Sequence, residues 1–196
     1  LLANVASNNL ISNQESGRFG NGHPNIVPYN LFKTKDGQIA LSVGNDKQFK
    51  KFSELIKKPE WYLNDKFKTN EHRVINRLEL EKLIEVSLKQ NNSEYWYDLF
   101  INANIPSAIV RSVSEALKHP QTIENQMVQN IKHPKGGTFK TLNTPMTINK
   151  KRGLSSPLSP PLLGEHSYEI LKNIMKIDNE KFLELCNSGV TKDGRN

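Results

Sequence analysis

Residues 29–43 read YNLFKTKDGQIALSV, and this short stretch constrains the rest of the chain. Asp36-Gly37 between two β-prone runs is a strong local signal for a tight antiparallel connection. It predicts strands over Tyr29–Lys33 and Gln38–Val43, with the turn at Lys35-Asp36-Gly37. A hairpin this short needs a covering layer to be stable. The next residues supply one. Asn45 or Asp46 can cap a helix that carries Phe49, Phe52, Leu55 and Ile56 on one face. Ahead of the hairpin stands a glycine-rich turn with a His-Pro step, Gly20-Asn21-Gly22-His23-Pro24. A flexible loop is therefore hung on a hairpin that a helix backs, an arrangement that often presents ligand-contacting residues.

The remaining elements follow from periodicity and breakers. LLANVASNNLIS, residues 1–12, reads as the end of a helix with no cap before it, so a fragment or a chain whose first part is encoded elsewhere is expected. Lys58-Pro59 stops the helix after the hairpin, and Glu60–Leu63 forms one turn. Asn70 is read as the cap of a helix starting at Glu71. Its stripe is Val74, Ile75, Leu78, Leu80, Leu83, Ile84 and Leu88, with a break near Asn76. A further helix over Glu94–Ala103 turns Trp96, Leu99 and Phe100 inward, and Ile105-Pro106 ends it. Ser107–Val110 reads as a strand. Ser112 or Ser114 caps a turn that His119-Pro120 stops. Met127–Lys132 and Thr138–Leu142 flank a second hairpin turn at 133–137. Residues 149–161 are rich in Ser, Pro and Gly and read as a linker. Two helical stretches follow, His166–Met175 and Asn179–Asn187, the second capped by Asp178, and 191–196 reads as a loose tail.

Composition narrows the function classes. The 196 residues carry a net charge of +7, but the lysines are scattered, and none are interleaved with aromatics as a nucleic-acid groove requires. They read as solvated faces. No apolar run reaches the length of a membrane span. Cys186 is the only cysteine, which excludes an internal disulfide and fits a reducing cytoplasm. The expected chain is therefore cytoplasmic, with neither a nucleic-acid nor a membrane partner.

No catalytic constellation stands out. His23, His72, His119, His133 and His166 share no metal-ligand spacing, so no metal is expected. Asp36 reads as a turn residue, Asp46 as a helix cap rather than a catalytic carboxylate, and Cys186 as a small buried hydrophobe. Trp61 and Trp96 read as core or interface residues. Gly20–Pro24 lacks the strand before and helix after that a phosphate-binding loop needs, so an ordinary turn and a ligand loop both stay open.

Three stretches resemble, in order and spacing, the C-terminal half of family III CoA-transferases, the group of formyl-CoA transferase and carnitine CoA-transferase. They are GNGHPNIVPYNLFKTKDGQIALSVGNDKQF, KFKTNEHRVINRLELEKLI and PPLLGEHSYEIL. NIPSAIVRSVSEALKHPQ ahead of IKHPKGG is similar to the same group. LLANVASNNLIS and IVPYNLFKTKDG look nearest to the succinate–hydroxymethylglutarate branch.

The resemblance implies an α+β small domain flanked by helices of an incomplete α/β, Rossmann-like large domain. Residues 1–28 would be the end of a large-domain helix plus the glycine loop, and 29–148 the small domain. Residues 149–161 would be the return linker, and 162–196 helices packing on the large domain. It implies an interlocked homodimer, coenzyme A or acyl-CoA as substrate with no permanent cofactor, and a carboxylic acid as acceptor. An aspartate of the family attacks the thioester and passes through an aspartyl-CoA intermediate. That motif lies upstream of Leu1, so no residue here is assigned as catalytic and the chain alone is expected to be inactive. A missing N-terminal half would be its partner if encoded separately. Gly20, Asn21, Gly22, His23 and Pro24 map onto the family's glycine-rich loop and read as a substrate-binding lid. An inactive remnant, a non-catalytic dimerisation module and an acyl-CoA racemase fragment are the alternatives.

Overall fold

The computed structural model describes residues 2–149, 151–152 and 158–195. The chain divides into two compact units, Leu1–Arg111 and Ser112–Asn196. The boundary falls inside the 29–148 span expected as one domain.

The first unit contains α1 (Ala3–Ser12), β1 (Tyr29–Lys33), β2 (Gln38–Ser42), α2 (Asp46–Leu55), α3 (Glu60–Leu63), α4 (Asn70–Ile75), α5 (Arg77–Leu88), α6 (Ser93–Asn102) and β3 (Ser107–Ile109). The three strands form one antiparallel sheet in the order β1-β2-β3, with Leu31, Ala40 and Ala108 in register. Side chains alternate between the faces of a strand. Phe32, Ile39 and Leu41 accordingly enter the core, where Phe49, Phe52, Leu80, Ile84, Leu88, Trp96 and Phe100 are also buried. Each such side chain contributes about 2 kcal/mol of transfer free energy. Trp96 buries its ring beside Phe100, centroids 5.7 Å apart, because its Nε1–H finds the Leu88 carbonyl at 2.7 Å.

The hairpin turn is tied to a distant helix. Asp36 Oδ1 accepts from the Ser93 backbone N–H at 2.8 Å and from Ser93 Oγ at 3.0 Å, at the start of α6. A carboxylate there meets unpaired N–H groups and the positive helix end.

Several expectations change. Asn45, not Asp46, caps α2, accepting from Gln48 N, because Asp46 is turned to Arg73. Thr69, not Asn70, caps the helix that follows, and Asn70 holds an upstream loop instead. The break expected near Asn76 is present, with Asn76 closing α4 before α5 begins, but the stripe of 74–88 is not buried throughout. Leu80, Ile84 and Leu88 are buried, while Ile75 and Leu78 are exposed.

The second unit contains α7 (Val113–Lys118), α8 (Pro120–Glu124), β4 (Val128–His133), β5 (Gly137–Leu142), β6 (Thr147–Ile148), β7 (Lys151–Arg152), α9 (Ser167–Asn173) and α10 (Asn179–Asn187). Ser112 and Glu115 form a capping box on α7. His119-Pro120 stops α7 as expected but also starts α8, since proline suits the first helical position and His119 Nδ1 accepts from Gln121 N. β4 and β5 pair as the predicted hairpin. β6 and β7 form a small ladder where the linker was expected to begin. Residues 150 and 153–157, also within that linker, lie outside the described residues. The tail is not loose. Gly194 N donates to Gly164 O at 3.1 Å, and the Arg195 guanidinium lies 3.5 Å from the Tyr168 ring centre. Gly164 (φ +81°) allows this approach, since a Cβ there would meet Lys192 O at 2.5 Å.

Candidate functional site

The glycine loop lies between α1 and β1, and local chemistry shapes its turn. Gly22 N donates to Phe19 O at 2.9 Å, and Gly20 takes φ +59°, a region glycine enters without steric cost. His23 N donates to Tyr29 O at 3.0 Å, so the loop returns to the chain where β1 starts. The His23 ring stands edge-on to Tyr29, centroids 5.3 Å apart. Its Nδ1 accepts from Asn25 N at 3.0 Å, so a neutral ring carries its proton on Nε2. Asn4 Nδ2 lies 3.2 Å from Nε2.

Side chains from three helices hold this loop. On α1, Asn4 reaches His23, and Asn8 exchanges two hydrogen bonds with Asn25, at 2.7 and 2.9 Å. On α4, Asn70 accepts from Val27 N and donates to Asn25 O, while Arg73 Nε donates to Val27 O at 2.7 Å. On α5, Arg77 Nη2 donates to Pro24 O at 2.7 Å. Sequence reasoning missed all five. One signal was available: Arg73 and Arg77 sit four apart among the apolar residues Val74, Ile75, Leu78 and Leu80, so two cations stand close to positions the core needs.

The other candidates separate from the loop. Asp36 serves its turn and α6. The Ser93 N–H, despite partial desolvation, holds its carboxyl below the usual carboxylate range, helped by the Ser93 and Thr34 hydroxyls. Asp46 pairs with Arg73 at 2.8 Å. Burial draws the Arg73 guanidinium below the usual arginine value, against the opposing pull of Asp46. His119 and His133 each accept backbone N–H groups in turns. Cys186 is half-buried and free. Among the described residues no three His, Cys, Asp or Glu side chains gather as a metal set, and no helix is long and apolar enough to cross a membrane.

Beside the loop, the open face of the three-stranded sheet forms a hollow of about 290 Å³, lined by Asn21, Tyr29, Leu31, Ala40, Ser42 and Ser107 among others. Ser107 Oγ is buried with no hydrogen-bond partner among the described residues. A larger hollow of about 900 Å³ in the second unit is mostly apolar, with Ile131, Phe139 and Met146, and has no titratable group in its lining. Both hollows have apolar walls with a few polar side chains; the smaller one adjoins the glycine loop through Asn21.

Comparison with known proteins places this architecture. A family model described as CoA-transferase family III matches residues 1–167. The chain is 34% identical over 189 residues to succinyl-CoA:glutarate CoA-transferase of Homo sapiens, covering 96% of this chain and 43% of that protein. It is 30% identical over 179 residues to succinate–glutarate CoA-transferase of Agrobacterium fabrum, covering 91% and 44%. Among solved structures, a CAIB/BAIF family protein from Brucella suis superposes with a TM-score of 0.68 at 32% identity, over 88% of this chain and 44% of that one. The chain thus spans less than half the length of the curated relatives it matches. The mixed fold with small antiparallel sheets is consistent with theirs, and the chain belongs to CoA-transferase family III.

Proposed function

We propose that this chain is the C-terminal part of a CoA-transferase that moves coenzyme A from an acyl-CoA donor to a carboxylic acid. The observation that carries the reading is the family match over residues 1–167, which includes the whole of the glycine loop. The domain division implied by the resemblance, with 29–148 as a small domain and 162–196 packing on a large one, is part of the proposal, as is an interlocked homodimer in the cytoplasm. The nucleophilic aspartate and most CoA contacts come from the portion of the family that this chain does not span. The chain contributes Gly20–Pro24 as a lid.

A lid has a definite chemical task. Anhydride and enzyme-bound thioester intermediates are hydrolysed where water reaches them, so closing the site favours transfer over hydrolysis. The glycines allow the backbone to move and to approach a ligand closely. The relatives named for succinyl-CoA and glutarate make a succinyl donor and a dicarboxylic acceptor the first pair to assay.

The test is to express the chain alone and with a family N-terminal half, then follow succinyl-CoA-dependent formation of glutaryl-CoA. Activity only in the combined sample is expected. Transfer by the isolated chain would overturn the division of labour, and none from any combination would favour a non-catalytic association module.

A further inference from the structure

Arg77 opens α5, and its side chain is only 14% exposed. Its guanidinium meets the 19–24 segment at three points. Nη2 donates to Pro24 O at 2.7 Å. The guanidinium carbon lies 5.4 Å from the centre of the Phe19 ring. Nη1 lies beside Gly22, where an added Cβ would stand in ordinary van der Waals contact with it at 3.5 Å. Nη1 is itself buried and makes no hydrogen bond among the described residues. The countercharge beside it is Glu81, at 3.9 Å, which also accepts from Asn30 Nδ2 at 3.3 Å.

The core does not require this arginine. α5 buries Leu80, Ile84 and Leu88 on its inner face, whereas the Arg77 hydrogen bond and ring contact both run to the loop. Asn4, Asn8 and Asn70 act at the His23–Val27 end. Arg77 therefore acts on Phe19–Pro24, where the turn glycines would otherwise leave the backbone free. A planar guanidinium can donate to a backbone carbonyl and lie over a ring at once, a geometry that a lysine ammonium does not reproduce.

We infer that Arg77 is a positioning residue for the transfer reaction, holding the glycine loop in the placement that keeps water from the reacting carbonyl. The inference rests on the lid reading above. The side reaction it suppresses is hydrolysis: water adds to the thioester carbonyl, the C–S bond breaks, a proton passes to sulfur, and free CoA and a carboxylic acid result.

The experiment compares the chain, assembled into the active transferase, with Arg77→Gln, Arg77→Lys and Phe19→Ala. Amide exchange over residues 20–25 and the partition of succinyl-CoA between transfer and hydrolysis are measured together. Arg77→Gln is expected to speed exchange about ten-fold, as loss of one charge-assisted hydrogen bond does, and to raise the hydrolysed share. Arg77→Lys is expected to restore neither. Phe19→Ala, which leaves α5 intact, is expected to shift both in the same direction by less. Unchanged exchange in all three variants overturns the role of Arg77. Faster exchange with an unchanged partition overturns the lid reading instead, so the two failures are distinguishable.

Discussion

Arg73 Nη2 and Asp46 Oδ1 lie 2.8 Å apart, with the arginine side chain fully buried and the aspartate side chain 55% exposed. The pair joins α4 to the start of α2. The same guanidinium donates to the carbonyls of Val27 and Phe67 and stands 4.3 Å from the Phe49 ring centre. Arg73→Met would strip two buried carbonyls of a donor, and about 3 kcal/mol of stability should be lost. Asp46→Asn should cost only about 1 kcal/mol, because water screens the exposed carboxylate. Urea unfolding of both variants checks the order, and a larger loss for Asp46→Asn would contradict it.

Asp36 makes stability depend on acid. Hydrogen bonds from Ser93 lower its pKa in the folded chain. A group depressed by folding stabilises fully above its unfolded pKa, near 3.8. That contribution is lost as pH falls from there through the lower folded value. Asp36→Asn should therefore be less stable than the parent at neutral pH, with the gap narrowing below about pH 4. Unfolding midpoints measured across that range test this, and a gap that widens in acid would refute it.

The two loop glycines should respond differently to alanine. Gly20 has open space around it but φ +59°, so Gly20→Ala costs about 1 kcal/mol of backbone strain and leaves neighbouring side chains in place. At Gly22 an added Cβ would lie 3.1 Å from Phe19 O and 3.4 Å from Asn30 Nδ2. Gly22→Ala should therefore displace the Phe19 and Asn30 signals in NMR spectra, while Gly20→Ala should not. Matching spectral changes in the two variants would contradict the assignment.

α1 turns asparagines to the loop and leaves Leu10 and Ile11 bare, 82% and 86% exposed. Ile174, Met175 and Leu183 near the other end are exposed as well. Such faces favour association. The isolated chain is expected to self-associate at micromolar concentration, and Leu10→Lys with Ile11→Lys should reduce the scattered light. A clean monomer for the parent chain would argue against this.

The local pieces can be read from neighbouring residues. Asp36-Gly37 set the first hairpin, Pro59 and Pro106 set where helices cannot run, and Asp178 set the start of α10. Turn chemistry and capping act over three or four residues, so neighbours suffice to read them. Which apolar residues enter the core follows from packing. Leu80 and Ile84 are buried while Leu78 is not, because Leu80 and Ile84 share the face of α5 that packs on the core and Leu78, two residues from Leu80, stands on the opposite one. Packing also decided that Asn70 and Arg77 grip the glycine loop across 45 and 53 positions of chain, and that the last residues fold back on Gly164. Those contacts depend on how separate elements come to lie side by side. Packing decides that, and no window of adjacent residues contains it.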